Sequence, residues 1–290
     1  MTEDKQTTDV VYTDFAKAFD KCDHECIATL LRAPVRSLDR DAILHIREHW
    51  VDQPAPRDSY KPGFPLDDPP WASNHYWKDA YNFINNYFNS YKIPGIFMEI
   101  GAQDGEYMSL TLFVEQQLGF RGVLVEPNPF DYQKLRSKGR SSYTINACAT
   151  PHGGHRKERL WLRHIPDILP PLLYREHEGS NMLMQYVKAE DLELGEAVWV
   201  QCFNAGAMVL AALDTFMVDL LVISTHQGEL QLLYSIPYTI QFRMVVMVLG
   251  VIFPEDANDL KEIAKSRGLT QVFQQQGVYI FIPSNEVKIV

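Results

Sequence analysis

The sequence predicts an α/β fold: a mostly parallel, doubly wound sheet with a C-terminal antiparallel hairpin, preceded by an irregular, helical extension. Three observations predict it. Two short apolar runs, 97–100 and 122–125, each end at an acid or a glycine. The stretch between them, 107–118, has helical character. From residue 96 onward strand-like and helix-like segments alternate, which is the pattern of a parallel sheet covered on both faces.

The elements follow in order. Strands are expected at 96–100, 122–126, 142–147, 218–223 and 242–250. Helices are expected near 107–118, 130–138, 206–214, 228–235 and 256–267. Segments 269–274 and 277–282 form the closing hairpin, turning at Gly277. Upstream, 37–50 reads as a helix with Ser37 as N-cap and apolar positions at Leu38, Ile43, Leu44 and Ile46. Six prolines in 54–70 predict an extended linker. An aromatic helix is expected at 73–91; its stripe reads as core packing, with the capping of a ligand cleft as the other use.

The first strand runs into Glu99-Ile-Gly-Ala-Gln-Asp-Gly105. Glycines at 101 and 105 let the backbone turn sharply and come close to a ligand. Glu126 stands 25 residues after Gly101, near the spacing at which a carboxylate accepts from ribose hydroxyls. The loop lacks the third glycine of the dinucleotide fingerprint and carries Glu99 and Asp104 instead. Carboxylates repel a pyrophosphate and suit a cationic ligand, so the pattern favours S-adenosylmethionine over NAD.

The formal charge of −10 argues against general nucleic-acid binding, because phosphate affinity comes mainly from Lys and Arg. The basic stretch 156–163 reads as a solvated strand or loop face. The four cysteines, Cys22, Cys26, Cys148 and Cys202, form no CxxC pair and show no zinc spacing, so no metal site is expected. Cys148 and Cys202 lie in apolar stretches and are expected as buried thiols, with no demand for an oxidising compartment. No signal peptide or membrane-spanning run is visible, which predicts a soluble chain, cytoplasmic by default.

Three segments result: 1–32, 33–95 and 96–290. In the first, Val10-Val-Tyr-Thr-Asp-Phe-Ala-Lys-Ala-Phe-Asp-Lys-Cys-Asp-His24 resembles the first catalytic motif of retrotransposon reverse transcriptases, where the acid matching Asp14 binds metal. The second metal-binding motif is absent, and one carboxylate cannot assemble a two-metal site. The segment therefore reads as a fragment without polymerase activity.

Glu99-Ile-Gly-Ala-Gln-Asp-Gly-Glu106, Val125-Glu-Pro-Asn-Pro129 and Asn146-Ala-Cys148, in this order and spacing, resemble the FkbM-type methyltransferase family over residues 96–283. Gln201-Cys202 and the 213–229 region most resemble its Star-like branch, whose members are associated with export of growth-factor precursors from endoplasmic reticulum and Golgi membranes. The resemblance implies a class I methyltransferase-like Rossmann fold, S-adenosylmethionine as cofactor and O-methyl transfer. Laid on this sequence, it puts Glu99, Gly101, Asp104 and Gly105 at the methionine end, Glu126 at the ribose, and Asn146 and Ala147 beside the adenine. The family's Leu-Asp-Val-Glu-Gly-Ala-Glu run corresponds here to Ile223-Ser-Thr-His-Gln-Gly-Glu229. Ser224, His226 and Gln227 depart from it and Glu229 survives, so His226 becomes the candidate base, with Glu229 beside it. The altered run also supports an alternative: a catalytically inactive Star-like scaffold that binds a protein partner.

Overall fold

The computed structural model describes residues 38–73, 75–91, 94–150, 155–166, 168–249 and 254–287, all within one compact unit that begins at Ser37. The reverse-transcriptase-like segment 1–32 and the expected N-cap Ser37 lie outside the described residues.

Helix α1 (Arg40–His49) starts at Asp39, whose carboxylate accepts from the Asp41 backbone N–H. A two-residue strand β1 (Val51–Asp52) follows. The proline-rich stretch contains no helix or strand, but it is not a free linker. Tyr60 and Trp71 are buried, and Tyr60 donates to Glu106 at 2.9 Å. In α2 (His75–Asn89), Trp77, Ala80, Tyr81, Ile84 and Phe88 are buried in a helical stripe against the sheet. The aromatic stripe is core; none of these residues reaches the cleft described below.

The expected strands form at β2 (Ile96–Ile100), β3 (Arg121–Val125), β4 (Tyr143–Ile145), β9 (Met217–Ile223) and β10 (Gln241–Val248). The hairpin is β11 (Leu269–Gln275) and β12 (Val278–Pro283), turning through Gln276 and Gly277 at positive φ. The sheet order is β1-β4-β3-β2-β9-β10-β12-β11. Strands β4, β3, β2, β9 and β10 are parallel, while β1, β12 and β11 pair antiparallel to their neighbours. This is the predicted mostly parallel, doubly wound sheet with its late antiparallel hairpin.

Both faces are covered, which explains why the strands are apolar throughout. Successive residues point to opposite faces: Leu221 and Ile223 enter one core, Leu220 and Val222 the other. The first core holds α1, α6 (Ala205–Leu213), α7 (Glu229–Ser235) and α8 (Pro254–Ser266); the second holds α2, α3 (Leu112–Leu118) and α4 (Pro129–Lys138), and α5 (Pro171–Glu178) precedes α6 in the chain. Ile46 joins the first core and Trp77 the second, so the described part of 33–95 packs into the same cores as the sheet. Among the described residues no helix is long and apolar enough to cross a membrane.

Three expectations need correction. The helix forecast over 107–118 begins only at Leu112. Asp104 accepts from the Glu106 and Tyr107 N–H groups, and Met108 takes φ 53°, so residues 101–111 form turns instead. Next, a second sheet of order β5-β8-β6-β7 lies between β4 and α6, built from β5 (Cys148–Ala149), β6 (Arg156–Arg163), β7 (Met182–Leu183) and β8 (Gly195–Phe203). The apolar run through 198–213 hid the end of β8, where Asn204 caps α6 by accepting from Gly206. Finally, Cys148 and Cys202 are not free thiols. They are paired Cα partners in β5 and β8, 4.4 Å apart, and form a disulfide. Disulfides persist in oxidising surroundings, so the pairing removes the ground for assuming a reducing compartment.

Under the loop that follows β2 lies a buried ion cluster. The fully buried Arg140 guanidinium donates to Glu115 on α3, to the Gly105 carbonyl at 2.7 Å, and to Ser109 and Thr111. Removing one partner of a buried pair leaves an uncompensated charge, so Arg140→Ala is expected to lower unfolding free energy by about 3–5 kcal/mol in urea denaturation. Reduction of the Cys148–Cys202 bridge, 54 residues apart in sequence, is expected to lower it by about 2–4 kcal/mol, read as the denaturation midpoint with and without reductant.

Candidate functional site

The strand order reverses between β2 and β9, and α/β sheets bind ligands at such a switch point, outside the carboxyl ends of the strands. A cleft opens at that place. Ile100 and Gly101 line it from the end of β2, Glu126 and Pro127 from the end of β3, and Ser224 to Gly228 from the end of β9. The second sheet supplies the opposite wall, with Cys148, Leu160, Met182 and Leu183.

The strand ends are tied together at the cleft floor. Gly101 and Ala102 donate to the Val125 carbonyl, and Ser224 donates to the Ile100 carbonyl at 2.9 Å. Gly101 has φ 84°, and a Cβ there would collide with the Ser224 carbonyl oxygen. Glycine is therefore required twice over, for conformation and for the close approach of two loops. Backbone strain gathers in the same loops. Gln103 (φ 48°), His226 (φ 53°) and Gln227 (φ 116°) all line the cleft with positive φ, a conformation costly for residues with a Cβ.

Glu126 sits at the end of β3 and reaches the cleft. One of its oxygens accepts from Gln103 N–H at 2.7 Å, the other from Asn128 N–H at 2.8 Å. Burial pushes its pKa up to about 8, aided by the Asp131 and Asp104 charges, while the two N–H bonds pull the other way. Asp131 also lines the cleft and is paired with Lys134 at 2.9 Å. No Lys or Arg is among the residues that line the cleft.

Glu99 does not share this space. It is 4% exposed and held by Ser109, Thr111 and the Leu110 N–H, with Arg140 at 4.0 Å. Burial raises its pKa, with Arg140 and the hydroxyl bonds opposing. Its neighbour Glu115 goes the opposite way: burial is outweighed by Arg140 and several hydrogen bonds, and its pKa falls. Contact geometry accounts for the contrast, since Arg140 bonds Glu115 directly at 3.2 Å. The pair expected to flank one berth, Glu99 and Glu126, is thus divided, with Glu99 turned into the loop's own support.

Asp104 and Gly105 likewise stand outside the cleft lining, one bonding its own turn, the other offering its carbonyl to Arg140. Asn146 donates to the Glu126 carbonyl at 2.8 Å and also to that of Pro127, so it fixes the β3 exit. Ala147 is fully buried in the first core. Pro127, Cys148 and Ala149 take the lining positions that Asn146 and Ala147 were expected to hold. Sequence spacing located the strand end but could not say which side of the chain faces the opening.

His226 lines the cleft at the end of β9. Neither imidazole nitrogen forms a hydrogen bond among the described residues, and burial lowers its pKa, so the neutral, basic form prevails at neutral pH. Glu229 is buried and folds back on the same loop, accepting from Thr225 and Gln227 N–H groups at 3.2 and 2.9 Å. Its carboxylate shapes the His226 loop and does not line the opening. Burial raises its pKa, against those backbone bonds.

Sequence reading missed the strap 179–186, which lines the cleft with Gly179, Asn181, Met182, Leu183 and Tyr186. A Cβ on Gly179 would meet the Gln103 amide at 2.7 Å, and one on Gly228 would meet the Tyr186 hydroxyl at 2.6 Å. The strap therefore touches both strained loops.

Neither a family model nor a curated protein matches the chain. Among solved structures, the chain is similar to a precorrin-6y C5,15-methyltransferase from Geobacter metallireducens GS-15 (9% identity, 70% of this chain and 87% of that one, TM-score 0.35). It is similar to TrmK of M. capricolum in complex with S-adenosyl-homocysteine (9%, 72% and 66%, TM-score 0.36). It is also similar to the N-terminal domain of human METTL16 in complex with the same product (13%, 92% and 95%, TM-score 0.34). At identities and scores this low, the fold assignment rests on strand order and register.

Gly101→Ala is expected to destabilise the protein, lowering the thermal midpoint without changing the net charge. The Glu126 carboxyl prefers its proton in the folded chain. Its contribution to stability is therefore fully present below the ordinary carboxylate range and lost as pH rises toward about 8. The wild-type thermal midpoint should fall across that window, and Glu126→Gln should flatten the fall.

Proposed function

We propose that the cleft binds S-adenosylmethionine and that the protein is a methyltransferase acting on a hydroxyl oxygen. The observation that carries this reading is that Glu126 and His226, whose imidazole makes no hydrogen bond among the described residues, line one cleft at the switch point of the sheet. The chemistry of the lining fits the cofactor: it offers a pyrophosphate no Lys or Arg, while the carboxyl groups of Glu126 and of the Lys134-paired Asp131 can bond the hydroxyls of a nucleoside.

In this reading Glu126, held by two backbone N–H groups, accepts from the ribose hydroxyls. Gly101 admits the methionine portion close to the main chain, and Pro127, Cys148 and Ala149 cover the adenine. When bound, S-adenosylmethionine supplies an electrophilic methyl group: the O–C bond forms as the C–S bond breaks, and the bond pair stays on sulfur. His226 takes the proton of the acceptor hydroxyl, which its lowered pKa permits at neutral pH. Glu229 holds the strained loop that aims the imidazole, and so acts as a positioning residue. Glu99 and Asp104 act likewise on the loop after β2. The FkbM-type motifs quoted above support the same assignment.

A second reading has its own support. Ser224 and Gln227 stand where the resembled family carries Asp and Gly, which favours a Star-like scaffold that keeps the cofactor cleft and binds a protein partner. Such a scaffold would not need an unpartnered base, so we place it second.

Isothermal titration should detect S-adenosylmethionine and its demethylated product binding to the wild type, and Glu126→Ala should lose most of the associated thermal stabilisation. His226→Ala should keep binding and lose turnover by about 10²–10⁴-fold. Absence of binding at millimolar concentration overturns the assignment; binding without turnover on a broad hydroxyl panel moves it to the scaffold.

A further inference from the structure

The loop that carries His226 adopts a backbone its residues do not favour. His226 (φ 53°), Gln227 (φ 116°) and Gly228 (φ 84°) follow one another at positive φ, which only the glycine takes at little cost. The imidazole does not anchor itself, since neither nitrogen forms a hydrogen bond among the described residues. Its place in the cleft is therefore set by what holds the main chain. We propose that Tyr186, on the strap, is a positioning residue for His226 and acts through Gly228. The proposal deepens the methyltransferase reading and rests on it for the use of His226 as a base.

The loop has anchors of its own. At its start the Ser224 N–H donates to the Ile100 carbonyl at 2.9 Å, and at its end the Gly228 carbonyl accepts from Leu232 on α7 at 3.0 Å. Between them Glu229 holds the Thr225 and Gln227 N–H groups. Tyr186 adds a contact from a remote part of the chain. A Cβ on Gly228 would lie 2.6 Å from the Tyr186 hydroxyl and 2.9 Å from two carbons of its ring, closer than side chains pack. The tyrosine therefore lies directly on the Gly228 main chain. There it blocks the outward movement by which 226 and 227 would return to negative φ. Tyr186 is itself fixed, because it ends a single 3₁₀ turn (Met184–Tyr186) directly after β7, which is paired to β6 through Leu183 and Leu160. Tyr186 and His226 line the same cleft, so the second sheet reaches the candidate base through one ring.

The titration of His226 reads the position of its ring without cofactor or turnover. It is followed by NMR on the imidazole Cε1 proton, whose signal is assigned by its absence from His226→Ala. Burial lowers this pKa in the wild type, and water around a released ring returns it toward the ordinary 6.5. Tyr186→Phe keeps the ring on Gly228 and is expected to titrate as the wild type does. Tyr186→Ala is expected to titrate near 6.5; Tyr186→Leu, with the same expectation, is the second variant should the first fail to fold by circular dichroism. Leu162→Ala, in the small core of the second sheet, is expected to lower the thermal midpoint and leave the titration in place, which separates positioning from loss of stability. The proposal is overturned if removing the ring leaves the titration unchanged, or if Tyr186→Phe or Leu162→Ala moves it as far as Tyr186→Ala does. A wild-type titration already near 6.5 overturns it too. If S-adenosylmethionine does not bind, the parent reading fails, and the titration still decides whether Tyr186 holds the imidazole.

Discussion

One buried guanidinium organises the site from below. Arg140 is fully enclosed and reaches Glu115 on α3, the Gly105 carbonyl in the loop after β2, and the Ser109 and Thr111 hydroxyls, with Glu99 at the end of β2 close by. A charge in that position must be matched, and each match pins a different part of the chain. The turn-rich loop 101–111 has no ladder of its own, so these contacts set its course. The loop in turn presents the Gln103 N–H to Glu126. The cleft thus inherits its geometry from an ion cluster whose Arg140, Glu115 and Glu99 stand outside its lining.

The acids of the site divide by what they bond. Glu99, Asp104 and Glu229 spend their oxygens on nearby hydroxyls or N–H groups and stabilise turns. Glu126 also accepts two N–H bonds, yet it opens onto the cleft. Access to the cleft is what sets Glu126 apart from Glu99, Asp104 and Glu229. The loop at the end of β9 shows the same economy: Glu229 ties it down, and the strained His226 is left without partners. Strain of that kind persists only where the surroundings enforce it.

The second sheet makes the cleft two-sided. Its β5 continues from β4 and is joined to β8 through Cys148–Cys202, so the wall is braced against the main sheet. From that brace β6 and β7 carry the apolar lining, and the strap 179–186 closes on both strained loops. A parallel sheet alone would offer a shallow switch-point crevice; the added wall lines it from a second side.

By itself the sequence determined the α/β class, the main parallel strands, the hairpin at Gly277 and the place of the crevice. These depend on local periodicity and on glycines and acids at strand ends, which short windows reveal. It also located Glu126 and His226, because a residue at a parallel strand's carboxyl end must lie near the switch point. Tertiary structure alone decided that Glu99 turns inward, since its partner Arg140 comes from 41 positions later in the chain. Tertiary structure likewise decided the second sheet, the Cys148–Cys202 pairing and the strap. All three join segments remote in sequence, and no local pattern records which distant strand will be the neighbour.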